Sequence, residues 1–110
     1  MKRVRSYLPT TTHALCVLGS QIASSRRELG WTAADLAERL GVNVQLIGKI
    51  ERGSPSTTIG IVFEAAILCG VPLFGTDPSD LTDLAARERT RLALLPARVH
   101  RKKVQVSDNF

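Results

Sequence analysis

The stretch from Trp31 to Gly53, WTAADLAERLGVNVQLIGKIERG, constrains the fold more than any other part of the chain. It divides at Gly41 into two short runs of helical periodicity. Thr32 is a good N-cap for the first, with Asp35 at N3 in a near capping box where Glu or Gln is usual. Leu36, Ala37 and Leu40 put an apolar stripe on one face. Gly41 follows the last periodic residue, where a left-handed residue ends a helix at little cost. Asn43 can cap the second helix and Gly53 can close it. Ile47 and Ile50 then face back toward Leu36 and Leu40, which leaves Gln45, Lys49 and Arg52 pointing outward.

Two short helices joined at a tight hinge are the layout of a helix-turn-helix. The stretch resembles the Cro/XRE-type helix-turn-helix of phage repressors and bacterial regulators. Leu36-Ala37, Leu40-Gly41-Val42, Ile47 and Ile50-Glu51-Arg52-Gly53 carry the likeness, which extends upstream through Ile22, Arg26 and Gly30 and downstream to Gly70-Val71. A narrower resemblance is to HipB-like antitoxins. It rests on Glu51-Arg52-Gly53-Ser54-Pro55, Ile59-Gly60-Ile61-Val62-Phe63, Leu95-Pro96-Ala97-Arg98-Val99 and the ending Val106-Ser107-Asp108-Asn109-Phe110.

The resemblance implies an all-α, five-helix, lambda repressor-like DNA-binding domain, here with a short C-terminal β-strand. It implies a sequence-specific repressor of the bacterial cytoplasm, acting at the nucleoid on double-stranded DNA. The narrower likeness implies the antitoxin of a HipA-type kinase toxin, repressing its own operon. A stand-alone regulator of the same family is one alternative. A protein-interaction module that kept the fold without DNA binding is another. An Asp or Glu at positions 45, 49 or 52 would favour that module, and none is present.

Composition agrees with a small basic binding domain. The 110 residues carry a net charge of +5, which favours a polyanionic partner. Aromatic residues are few, so Ile, Leu, Val and Ala must fill the core. Cys16 and Cys69 sit in apolar helical contexts without metal-ligand spacing and read as small core residues. No disulfide framework, signal peptide or run of about 20 apolar residues is visible, which makes a cytosolic location the default and argues against a membrane span.

The expected organisation is a basic N-terminal arm over residues 1–10, a helix-turn-helix domain over 11–95 and a basic C-terminal tail over 96–110. Pro9 and Thr10-Thr11-Thr12 read as a breaker and a cap before a first helix from about His13 to Leu29, buried through Leu15, Leu18, Ile22 and Leu29. Thr58 can cap a fourth helix from Ile59 to Cys69. That helix is apolar nearly all round, so it must lie in the core or under another chain. A fifth helix, from about Ser79 to Leu95, has Leu81, Leu84, Ala85, Leu92 and Leu95 on one stripe. Arg87, Arg89 and Arg91 lie on its wet side, either as a solvated face or as a nucleic-acid contact.

No catalytic constellation is visible. His13 and His100 are the only histidines and lie at opposite ends, and no HExxH, Ser/His/Asp set or phosphate-cradling Gly loop is present. The reading is a non-enzyme without a cofactor or metal.

The family likeness places the second helix of the motif in the major groove, with Asn43, Val44, Gln45, Gly48 and Lys49 nearest the bases. Gln45 can pair bidentately with adenine, Lys49 can reach a guanine or a phosphate, and Val44 offers a methyl surface to thymine. Arg52 shares that face, and Thr32 begins the first helix of the motif, where a phosphate is favoured. The family often has Gln where this chain has Ala33, and that backbone contact is lost here. Gly48 inside a helix costs about 1 kcal/mol against Ala. It either permits close approach to DNA or is simply tolerated. The resemblance implies that Arg26 and Glu51 form a buried ion pair joining the first helix to the recognition helix; the alternative is two exposed side chains that contribute little.

A single motif makes few contacts, so a homodimer on a palindromic operator is expected. The fourth and fifth helices and the C-terminal strand are its candidate interface. Val104-Gln105-Val106 alternates like a strand and ends near Phe110. It is either a solvated tail or a docking element, with Val104 and Val106 pairing with a strand and Phe110 filling a pocket on the kinase.

Overall fold

The computed structural model of the chain describes residues 6–99 and Arg101. It contains five α-helices: α1 (Pro9–Glu28), α2 (Ala33–Leu40), α3 (Val44–Glu51), α4 (Ile59–Cys69) and α5 (Leu81–Ala93). Among the described residues the sole β feature is an isolated antiparallel bridge between Leu73 and Thr76. The strand expected at Val104–Val106, the anchor Phe110 and the first five residues of the basic arm lie outside the described residues.

The chain divides into two compact units, Met1–Pro78 and Ser79–Phe110, and the domain expected over 11–95 runs across both. In the first unit α1 packs on α3 and α4, and α2 packs on the same two helices. The core contains Ile22 of α1, Leu36 and Ala37 of α2, Ile47 and Ile50 of α3, and Ala65, Ala66 and Cys69 of α4, with Val71 and Leu73 beyond it. Ile22, Leu36 and Ile47 are completely buried. Burying such an aliphatic side chain is worth about 1.5–3 kcal/mol, so this cluster is the main favourable term holding the helices together.

The helix ends of the first unit share one device. After α2, the Gly41 N–H donates to Glu38 O and the Val42 N–H to Ala37 O. After α3, the Gly53 N–H donates to Ile50 O and the Ser54 N–H to Lys49 O. This pairing satisfies the last carbonyls of each helix but needs a left-handed residue. Gly41 and Gly53 supply it, with φ of 71° and 75°.

Several sequence expectations are corrected. Helix α1 begins at Pro9, with Leu8 as its N-cap, and Thr10–Thr12 lie inside it. Proline's missing N–H is harmless at the first helical position and its φ suits a helix, so Pro9 starts the helix instead of breaking the chain. Leu29 is about half exposed, because it falls at the C-cap after the buried side of α1 has turned away. Cys16 is exposed, and its Sγ lies 3.9 Å from the Arg52 carbonyl oxygen. Thr58 stands at the N-cap of α4 without a side-chain hydrogen bond to it. Of the apolar surface of α4, Ile59, Ile67 and Leu68 remain exposed.

A single 3-10 turn, Pro78–Asp80, begins at the last residue of the first unit and leads into α5 of the second. Leu81 and Leu84 are half-buried, while Leu92 and Leu95 are exposed. Arg87, Arg89 and Arg91 are all exposed, and Arg91 pairs with Glu88 at 3.5 Å. Such a pair in water contributes little.

Candidate nucleic-acid interface

The site is built on α3. About 100° of rotation per residue puts Ile47 and Ile50 on one side of this helix and Gln45, Lys49 and Arg52 on the other. Ile47 and Ile50 are buried, and Gln45, Lys49 and Arg52 are exposed. Val44, 42% exposed, lies beside them in the first turn. Apolar residues at helical spacing thus fix which way the polar residues face.

Side chains at both helix starts hold the turn. Asn43 Oδ1 accepts from the Leu46 N–H at 2.9 Å, leaving the Asn43 amide NH2 directed to solvent as a donor. At α2, Thr32 Oγ1 accepts from the Asp35 N–H at 3.0 Å, and Asp35 Oδ2 accepts from the Thr32 N–H at 2.8 Å. The Thr32 backbone N–H first, and the Thr32 side chain second, hold the Asp35 carboxyl below its ordinary range by hydrogen bonding to it. The capping box therefore places a carboxylate at the α2 N-terminus, where a phosphate contact was expected, and engages the Thr32 N–H.

An ion pair fixes α3 against α1. Arg26 Nε donates to Glu51 Oε2 at 2.7 Å, and Nη2 donates to Oε1 at 3.0 Å. Arg26 Nη1 donates to the Trp31 carbonyl at 2.8 Å, so the same guanidinium also ties down the α1–α2 turn. Both side chains are close to fully buried. The hydrogen bonds to Glu51 raise the Arg26 pKa further against the opposing effect of burial. Arg39 of α2 stacks on the Trp31 ring, its guanidinium carbon 4.2 Å from the ring centre.

Two glycines let α1 approach the C-terminal end of α3. A Cβ on Gly19 would lie 2.6 Å from the carbonyl oxygens of both Ile50 and Glu51. One on Gly53 would lie 2.8 Å from the Cys16 nitrogen and the Leu15 carbonyl carbon. No real Cβ tolerates such distances, so backbone meets backbone here. From sequence, Gly19 reads only as a small packing residue. Its importance comes from this contact, which leaves no trace in periodicity. Gly48 is half-buried at the edge of the outward face, and a Cβ there would lie 3.0 Å from Arg52 Nη1.

Two helices joined at a left-handed glycine, the second tied down from behind and presenting polar side chains to solvent, expose an α-helix of the kind that a DNA major groove admits. Residues 22–75 match the family model described as Helix-turn-helix. Residues 22–75 are a Cro/XRE-type helix-turn-helix domain. The match supports a DNA-binding regulator. No curated protein matches the chain. The helix-turn-helix domain spans α2, α3 and α4 with the end of α1 from Ile22 on, so it includes every expected groove-facing residue and the Arg26–Glu51 pair. Among the described residues, no helix is long and apolar enough to cross a membrane.

Proposed function

We propose that this chain is a sequence-specific DNA-binding repressor that inserts α3 into the major groove. In this reading Gln45 reads an adenine, Lys49 a guanine or an adjacent phosphate, and Val44 a thymine methyl group. Asn43, Thr32 and Arg52 hold the backbone on either side, and Gly48 leaves room for the Arg52 guanidinium beside the groove-facing side. The observation that carries the reading is the outward face of α3. Gln45, Lys49 and Arg52 are exposed together on a helix whose opposite side is locked into the core.

The chain acts as a homodimer on a palindromic operator, since one recognition helix makes too few contacts for tight binding. The exposed Ile59, Ile67 and Leu68 of α4 support a partner surface on the first unit. The resemblance to HipB-like antitoxins extends the proposal to a HipA-type kinase toxin, with repression of the shared operon in the bacterial cytoplasm. In that part Val104, Val106 and Phe110 form the docking tail.

Fluorescence anisotropy with duplex DNA from low to high salt tests the reading. Affinity is expected to fall steeply with salt, because each phosphate neutralised by Lys or Arg releases counterions. Affinity that stays flat with salt contradicts it. Deleting residues 107–110 is expected to weaken toxin binding and spare DNA binding. Unchanged toxin binding removes the tail from the proposal.

A further inference from the structure

Beside the outward face of α3 lies an open hollow of about 450 Å³, formed between α1 and α3. Ser20, Ser24 and Arg27 of α1 line one wall, and Gly48, Glu51 and Arg52 line the other. Ser20, Ser24 and Arg27 are three and four residues apart, the spacing that puts side chains on one face of a helix. Across from them, the Arg52 guanidinium lies over the bare backbone of Gly48, close enough that a Cβ on that residue would be 3.0 Å from Nη1. The missing side chain at position 48 gives Arg52 its seat.

The one carboxylate in the hollow does not oppose an anion. Both oxygens of Glu51 accept hydrogen bonds from Arg26. Arg27 and Arg52 therefore leave the hollow positive, with the Ser20 and Ser24 hydroxyls as further donors. Two guanidinium forks with hydroxyls between them suit the tetrahedral oxygens of a phosphate better than a planar base edge.

We infer that this hollow seats a phosphate of the duplex backbone, gripped by Arg27 from α1 and by Arg52, the C-cap of α3. This inference rests on the DNA-binding reading above and widens the footprint from the motif to the first helix. Phosphate contacts set register without reading sequence, so the site fixes how α3 lies in the groove.

Arg27→Gln tests it, since Arg27 is exposed and its loss leaves the core intact. Binding of a random-sequence duplex is measured against salt for the unaltered and the altered chain. The expected result is a slope of log affinity against log salt that shrinks by about 0.9, the effect of one phosphate contact. The Arg27 and Arg52 Nε–H resonances of the unaltered chain are expected to move on adding that duplex. An unchanged slope together with unmoved resonances overturns the inference. So does movement on adding inorganic phosphate alone with an unchanged slope, which would make the site a free-anion site. Failure of the DNA-binding reading looks different: the unaltered chain then binds no duplex in the same titration.

Discussion

Gly19 of α1 and Glu51 of α3 touch through their backbones: a methyl group on Gly19 would sit 2.6 Å from the Glu51 carbonyl oxygen. Neither carbonyl at this contact belongs to a flexible side chain that could move aside. Gly19→Ala is therefore expected to push α3 away from α1 and to destabilise the fold by about 1–3 kcal/mol, as overpacking typically does. Operator affinity should fall with it, because the tilt of the recognition helix changes. Denaturant unfolding and duplex anisotropy measure the two effects. A Gly19→Ala chain of unchanged stability would mean that the two helices are not in backbone contact.

Arg26 and Glu51 form the other link between these helices. Arg26→Ala leaves the Glu51 carboxylate nearly buried without its counter-charge and strands the Trp31 carbonyl. The expected cost is about 3–5 kcal/mol, a large share of the total stability of a small domain. Replacing both partners with Met and Leu should cost much less, because no charge is then left behind. Thermal unfolding of the single and double variants separates the cases. Equal losses in both would show that packing, rather than charge, dominates at this site.

The two cysteines should differ sharply. Burial raises the Cys69 thiol pKa, while Cys16 is exposed on α1. A thiol-reactive reagent is expected to label Cys16 rapidly in the native chain and Cys69 only on unfolding, since the thiolate is the reactive form. Rapid native labelling of both would contradict the placement of Cys69 in the core.

The motif was legible in sequence because its determinants are local. The Thr32–Asp35 box, the Asn43 cap and the glycines at 41 and 53 each follow from chain neighbours, and all are present. Ile47 and Ile50 fix the inward side of α3 through periodicity alone. Other features depend on residues far apart. The close approach of α1 to α3 at Gly19 has no periodic signature, whereas Cys16 stands to one side of the stripe of Leu15, Leu18 and Ile22 and is exposed for that reason. Arg27, Ser20 and Ser24 were likewise not picked out, because only the packing of α1 brings them beside Arg52. In sequence Pro9 reads equally as a breaker, because proline has opposite meanings at a helix start and inside one.

Selection from a random-sequence duplex pool asks whether the outward face of α3 reads duplex sequence. The unaltered chain should enrich an inverted repeat with half-sites about 10 base pairs apart, centre to centre. Gln45→Ala should lose preference at one position of each half-site, costing about 1–3 kcal/mol on the selected sequence and almost nothing on random DNA. A pool that stays random after selection, or a Gln45→Ala chain that selects the same sequence with the same affinity, would show that this face does not read sequence.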